Sequence, residues 1–440
     1  CKLYDLILSC YLMGGNMFLK NITSKALVSA IVLGQAGIAC ADSIKVSGWH
    51  QLFDFSKPAI LMAEKKYEEK NAGTDLIMVD TAFGQALQQA TVSTIAGNPS
   101  DVIQLVAGWV PAMAEIGGLQ PLDNLLTQKE INSIPKTSRD ALSWEGNLVA
   151  VPWNPGPILM HYNRNLMKEA GLDPDNPPKT WPELKEAVMA ICKLPERNGG
   201  SVYGVALRTS QNPNSAQWSI PIVYGHGGDV QVDNVPGVNN KSVSSALNWI
   251  ADVVNSNCSP VGFGFAETRT LFAQERAGFI FEGPWGRGLV KNMSDGKLTV
   301  EPDGDVWVSQ MPAAPDGNVR TIGNPIVATV SSKTKNPELA VDFIRTVLFD
   351  KDITDEFFTS SGLLPSSSMD ILGSGIVGAD AYAQLFVDAL PFTYDTPIKS
   401  SKFNMIMGEL AIGMQEVISG ANADEVLVEV QAKIESKLKR

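Results

Sequence analysis

Apolar and polar residues alternate along this chain in two patterns. Short apolar runs, Ile44 to Val46, Leu76 to Val79, Val102 to Leu105 and Phe279 to Phe281, are separated by longer segments in which apolar residues return at helical period. Short buried strands interleaved with helices predict an α/β architecture. Helix starts are clearly marked. In "PPKTWPELKEAVMAI", Thr180 and Glu183 have capping-box spacing, and Leu184, Ala187, Val188 and Ile191 share one face. In "KNPELAVDFIRTVL", Asn336 is placed to cap a helix whose first residue is Pro337. Near the end, Ile406, Leu410, Met414 and Val417 make one apolar stripe and Leu427, Val430, Ile434 and Leu438 another, both expected on core-facing helices.

The first stretch follows a different pattern. From Met17 it reads "MFLKNITSKALVSAIVLGQAGIACADS", with Lys20 and Lys25 ahead of an apolar run from Ala26 to Ile38 and Ala39-Cys40-Ala41 before Asp42. This predicts a secretory signal peptide over 17–41, cut after Ala41. The run is shorter than the roughly 20 residues that a spanning helix requires, which argues against a membrane anchor. Cys40 allows a lipid-anchored alternative, but Gly37 stands where such a site usually has a leucine-like residue. Residues 1–16 precede the better start at Met17 and are expected to be upstream sequence read through as protein. An exported, periplasmic protein is the expectation.

The chain has 440 residues, 44 % hydrophobic and 19 % charged, enough for a substantial core and for more than one lobe. No repeat, low-complexity tract or further membrane-length stretch interrupts it, so the mature chain is expected to be soluble and monomeric. Its formal charge is −12, and the leader removes three basic residues (Lys2, Lys20, Lys25) against one acid (Asp5), leaving the mature chain more acidic still. Without a basic cluster, this argues against nucleic acid as a partner. Three of the five cysteines lie ahead of Asp42, so Cys192 and Cys258 remain. An oxidising compartment permits a disulfide between them, although spacing alone does not bring them together.

Enzyme signatures are mostly absent: the chain has no G-x-S-x-G, no P-loop, no H-E-x-x-H and no G-x-G-x-x-G after a strand. His50, His161 and His226 lack metal-ligand spacing, and in "GLDPDNPP" prolines replace the glycine turn of a calcium loop. No metal or cofactor is expected. The informative signal is aromatic. Trp49, Trp109, Trp153, Trp218 and Trp285 lie at or just beyond apolar runs, beside Gly, Pro, Asn or His, where strands would hand over to loops. Strand ends line the ligand crevice of open α/β sheets, and a flat indole there can stack on the apolar face of a sugar ring. In "EGPWGRG", glycines and Pro284 leave Trp285 little local bulk to pack against, and Arg287 follows two residues on.

Longer segments carry a family resemblance. "MHYNRNLMKEAGLDPDNPPKTWPELKEAV" at 160–188, "AGNPSDVIQL" at 96–105, "RAGFIFEGPWG" at 276–286, "MPAAPDG" at 311–317, "KNPELAVDFIRTVL" at 335–348, "SGLLPSSS" at 361–368 and "ISGANADEVLVEVQAKI" at 418–434 occur in order over nearly the whole mature chain. They resemble the family 1 extracellular solute-binding proteins of ABC importers, to which maltodextrin binders belong. The resemblance implies a two-lobed periplasmic-binding-protein fold (type II) with an interlobe ligand cleft and hinge strands. It implies an N-terminal α/β lobe over 42–152 and 306–365 and a C-terminal α/β lobe over 153–305 and 366–440, crossing near Val151 and Pro152, near Asp305 and near Pro365.

The resemblance also implies a site. Trp285 of Gly283-Pro284-Trp285 resembles a sugar-stacking platform. Trp49 and His50 follow the first strand, Trp109 follows "DVIQL", and Trp153 and Asn154 sit after the first hinge. Gln217, Trp218, Arg287 and Phe403 complete the expected ligand contacts. The acids that grip sugar hydroxyls in maltodextrin binders have no counterpart: the first strand leads to Trp49-His50, and "NPGP" replaces a glutamate after the hinge. The expected function is therefore capture of a mono- or oligosaccharide for delivery to a membrane permease, without chemistry. Glycerol 3-phosphate or another polyol phosphate is the alternative ligand. A secreted glycoside hydrolase, or an adhesive surface protein, is the alternative class.

Overall fold

The computed structural model describes residues 42–439 apart from positions 53, 55, 233, 234, 396 and 397; the segments 1–16 and 17–41 lie outside the described residues. The principal strands are β1 (Asp42–Gly48), β2 (Thr74–Asp80), β3 (Val102–Val106), β4 (Val151–Asn154), β5 (Leu159–Asn163), β6 (Tyr203–Val205), β7 (Ala277–Glu282), β8 (Val306–Ser309) and β9 (Ile326–Val330). They form two sheets, one in the order β2-β1-β3-β9-β4 and one in the order β8-β5-β7-β6. Each of the four apolar runs singled out in the sequence lies within a strand.

The first sheet pairs β1 and β3 in parallel, Val46 opposite Val102, and β9 runs antiparallel to both β3 and β4. Ile44, Val46, Leu105 and Val327 are buried in its core beside helices Lys57–Lys70 and Pro337–Phe349, where Tyr67 and Phe343 meet edge-on at 5.8 Å. In the second sheet the two-residue period of β7 separates two cores. Phe279 and Phe281 join helices Trp181–Ile191, Lys241–Asn255, Phe403–Ile418 and Ala423–Leu438 on one face; Ile280 joins Phe272, Tyr382 and Phe386 on the other. Helices covering both faces of a sheet require strands buried on both sides, which is why the Phe279–Phe281 run of β7 is continuous rather than alternating.

The Thr180–Glu183 capping box is formed. At the next predicted start, Asn336 holds the N-cap position without a side-chain bond into the helix. Its own N–H donates to Thr334 Oγ1 at 3.2 Å, and Pro337 has no N–H to satisfy. Cys192 and Cys258 are bridged with Cα atoms 5.2 Å apart, tying the end of helix Trp181–Ile191 to the segment that follows helix Lys241–Asn255.

The chain passes between the sheets three times. The first passage occupies 155–158, between β4 of the first sheet and β5 of the second. The second falls later than expected: Val306–Ser309 pairs antiparallel with β5, Val306 opposite Asn163 and Ser309 opposite Met160, so β8 belongs to the second sheet and the passage runs over 310–325. Burial explains the placement, because Val306 and Val308 point into the second lobe's core. The two passages are bonded to each other, Ile158 N to Ile322 O at 3.0 Å and Asn324 N to Gly156 O at 3.0 Å. The third is made by helix Lys351–Ser361, with Ile353 in the first lobe's core and Phe358 in the second's; Leu364, just before the expected crossing at Pro365, is already in the second core.

Candidate functional site

The passages fix which ends of the sheets face each other. Ile326 pairs with both Val106 and Asn154, so the end of β3, the end of β4 and the start of β9 share one edge of the first sheet. Thr81 N donates to Gly48 O at 2.9 Å, bringing the ends of β1 and β2 to that edge. In the second sheet, Leu159 at the start of β5 lies opposite Glu282 at the end of β7. The turns after β1, β2 and β3 therefore look toward the turn after β7, the placement in which open α/β sheets bind ligands.

On the first lobe these turns carry an aromatic group. The ring of Trp49 meets Phe83 at 5.3 Å and Trp109 at 6.3 Å, and Phe83 meets Trp109 at 5.4 Å. Trp49 is buried, its backbone N–H donating to Gln104 Oε1 at 2.8 Å, whereas Trp109 is half-buried and Phe83 is 45 % exposed. The open part of the patch is thus Phe83 and Trp109, with Trp49 beneath them. His50 turns the other way, into the core, between Trp153 at 5.0 Å and Phe357 at 5.3 Å. Neither of its ring nitrogens has a partner among the described residues, and burial lowers its pKa to about 3, so the imidazole is neutral. Trp153 is buried against His50 and Phe343. Asn154 is also buried and donates to Leu364 O at 2.9 Å. All three of these expected ligand contacts are buried in the structure.

On the second lobe the turn after β7 is organised by Glu282. Its Oε1 accepts from Arg208 Nη2 and from Arg269 Nε at 2.7 Å; its Oε2 accepts from Arg269 Nη2 at 3.1 Å and from Trp285 Nε1 at 2.6 Å. Burial alone would raise the carboxyl's pKa, but the two guanidinium groups and the indole N–H outweigh it and hold it at about 2. Arg208 is also buried, which lowers its pKa to about 10 against the pull of Glu282, so both remain charged at neutral pH. The arginines stack on Phe265, Arg208 at 4.1 Å and Arg269 at 5.0 Å. Trp285 is half-buried, its six-membered ring lying over two glycines: a Cβ on Gly283 would come within 2.5 Å of it, and one on Gly156 within 2.9 Å.

The remaining expected contacts are distributed. Arg287 pairs with Asp380 at 2.8 Å and stacks over Tyr382 at 4.6 Å, so its charge is already engaged. Trp218 is buried edge-on to Phe265 at 4.8 Å, with its indole N–H on Phe281 O at 3.2 Å. Gln217 is buried at the end of helix Pro213–Gln217. Phe403, at the start of its helix, reaches the first lobe: a Cβ on Gly108 would lie 3.5 Å from its ring.

Sequence reasoning overlooked Phe83, Arg208, Arg269 and Glu282. Two of these left a signal. Phe83 follows the apolar run of β2 just as Trp49 and Trp109 follow theirs. Glu282 closes a fully apolar strand, and an acid in that position must be buried with a cationic partner or be exposed. The partners themselves, 74 and 13 residues away, are set by the fold.

Comparison with known proteins agrees with this architecture. The chain is 25 % identical over 285 residues to the sn-glycerol-3-phosphate-binding periplasmic protein of Brucella suis biovar 1 (strain 1330), covering 62 % of this chain and 65 % of that one. It is 24 % identical over 354 residues to the maltotriose-binding protein of Pyrococcus abyssi (strain GE5 / Orsay), covering 78 % and 72 % respectively. Among solved structures, an ABC transporter solute-binding protein of Thermotoga lettingae bound with α-D-tagatose superposes with a TM-score of 0.76 at 20 % identity, covering 90 % of this chain and 99 % of that one. Residues 54–353 match the bacterial extracellular solute-binding protein family, and with the two-lobed fold and the facing strand ends in place, the chain belongs to that family.

Proposed function

We propose that this protein captures a sugar between its lobes and delivers it to the membrane permease of an ABC importer. The observation that carries the reading is that each of the facing strand ends bears aromatic rings, Trp109 and Phe83 over Trp49 on one lobe and Trp285 on the other. A pyranose offers apolar C–H faces to such rings and hydroxyl groups to their polar surroundings. Contacts from both lobes favour the closed arrangement over the open one, which is how ligand would drive closure. The names of the relatives support small, polyhydroxylated ligands. Export to the periplasm and action as a monomer belong to the same reading.

The glycoside hydrolase reading draws no support from the acid at the centre. A general acid needs a raised pKa and a free proton, whereas Glu282 is held at about 2 with both oxygens engaged.

The test is thermal unfolding of protein stripped of carried ligand by denaturation and refolding, with mono-, di- and trisaccharides and with glycerol 3-phosphate. A ligand that binds only the native state raises the melting temperature. A rise with a sugar, lost in Trp285→Ala, is expected; a rise with glycerol 3-phosphate alone would transfer the assignment to a phosphorylated polyol.

A further inference from the structure

The indole of Trp285 is held at its N–H and along its six-membered ring. Its only hydrogen-bond donor is spent on Glu282 Oε2 at 2.6 Å, and its six-membered ring lies against Gly283 of its own turn and Gly156 of the first passage between the lobes. Glu282 is fixed in turn: Arg208 and Arg269 occupy its remaining acceptor positions, and Arg208 is anchored to Phe281 O at 2.9 Å. The turn is clamped from behind as well, because the Tyr382 hydroxyl donates to Pro284 O at 3.1 Å, accepts from Arg287 N at 2.9 Å and meets His161 Nε2 at 2.9 Å.

We infer that Glu282 is a positioning residue for ligand capture: through the Trp285 indole N–H it fixes the plane of the ring against Gly156, so that the site presents a π face with no hydrogen-bond donor. Two consequences follow. A ligand at this position is selected for an apolar face. Glu282 itself does not grip hydroxyl groups, because its acceptors are filled. Contact with Gly156 also places the ring on the segment that must move when the lobes close, so a ligand seated on Trp285 bears on the hinge. The inference rests on the reading of the cleft as a sugar site.

The experiment uses the protein with ¹⁵N-labelled tryptophan, Trp285 being assigned by the signal lost in Trp285→Phe, and titrations with maltotriose and D-tagatose. In the wild type, the Trp285 indole N–H should exchange slowly with solvent. In Glu282→Ala it should move to the position of a free indole and exchange at least about tenfold faster, with a loss of about tenfold or more in sugar affinity, as expected for a hydrogen bond to a charged group. Glu282→Gln, whose single carbonyl oxygen can still accept from the indole, should retain more of the affinity than Glu282→Ala. An unmoved Trp285 signal in Glu282→Ala overturns the inference. Should the two uncovered guanidinium groups prevent that variant from folding, the wild type decides: exchange as fast as an exposed indole overturns it, and protection supports it. If neither sugar binds the wild type, the sugar reading fails, and the indole measurement still judges the link between Glu282 and Trp285.

Discussion

The carboxylate of Asp395, buried in the second lobe, accepts a hydrogen bond from the hydroxyl of Ser138, on the first lobe's helix Lys136–Ala141, at 2.7 Å. Among the described residues no cation faces it, and burial raises its pKa to about 6, with Ser138 offsetting part of the rise. A carboxyl whose folded pKa lies above its unfolded value contributes most at low pH and progressively less as pH rises through the folded pKa. Asp395→Asn should therefore gain stability over the wild type as pH rises from about 4 to about 6, by on the order of 3 kcal/mol in total, and stay ahead by that amount above it. Urea unfolding of both proteins across this range measures the difference, and a pH-independent gap would refute it.

His50 has the opposite sign. Its folded pKa of about 3 lies below the ordinary histidine value of 6.5, so its contribution is present above 6.5 and declines as pH falls. Replacing it with phenylalanine, which suits the neighbouring Trp153 and Phe357 rings, should give a variant that gains on the wild type by about 1.4 kcal/mol per pH unit on acidification from 6.5. Parallel acid-unfolding curves would show that the ring nitrogens find partners in the folded protein.

The Cys192–Cys258 bridge closes a loop with a sequence separation of 66. Chain-entropy reasoning assigns such a loop roughly 4 kcal/mol. The Cys192→Ser/Cys258→Ser variant should unfold at lower urea by that order, and reductant should lower the wild type toward it. The sugar-binding stoichiometry of the folded fraction should not change, because the bridge lies within one lobe.

Phe83 is 45 % exposed, so its removal should cost little stability. If the aromatic patch meets ligand, Phe83→Ala should nevertheless weaken sugar binding by roughly 1 kcal/mol, about fivefold, as an aromatic contact is worth. Calorimetric titration beside a melting curve separates the two effects; loss of stability without loss of affinity would remove Phe83 from the site.

Gly156→Ala places a methyl group 2.9 Å from the Trp285 ring and 3.3 Å from Asn324 O. The ring or the passage must shift, at a cost of about 1–3 kcal/mol for overpacking. Affinity should fall with it, whereas Gly288→Ala, with open space around its position, should leave affinity unchanged.

The strands, the helix starts and the family were readable because they depend on local pattern: β7 is apolar from Ala277 to Phe281, Thr180 and Glu183 sit three residues apart, and the motifs keep their order. The site was readable only in part. Trp49, Trp109 and Trp285 could be placed at strand ends, but whether a strand-end residue points outward or inward depends on what packs behind it. His50 faces inward because Phe357, about three hundred residues on, leaves a space for it. Arg287 is drawn to Asp380 and Glu282 to Arg208 by the same long-range assembly, which periodicity does not encode. The late second crossing has this cause too: "DVWVS" is a good strand for either sheet, and its pairing with β5 decides.

Helix Lys351–Ser361 has a mechanical consequence. Ile353 and Phe357, one turn apart, engage the first lobe, while Phe358, next along the chain, is buried in the second. A rod whose two flanks are embedded in different bodies resists their being pulled apart, yet permits each body to roll about its length. Opening of the cleft should thus resemble a door turning on its pin, with the smallest displacements along this rod, and it should part Phe403 from Gly108.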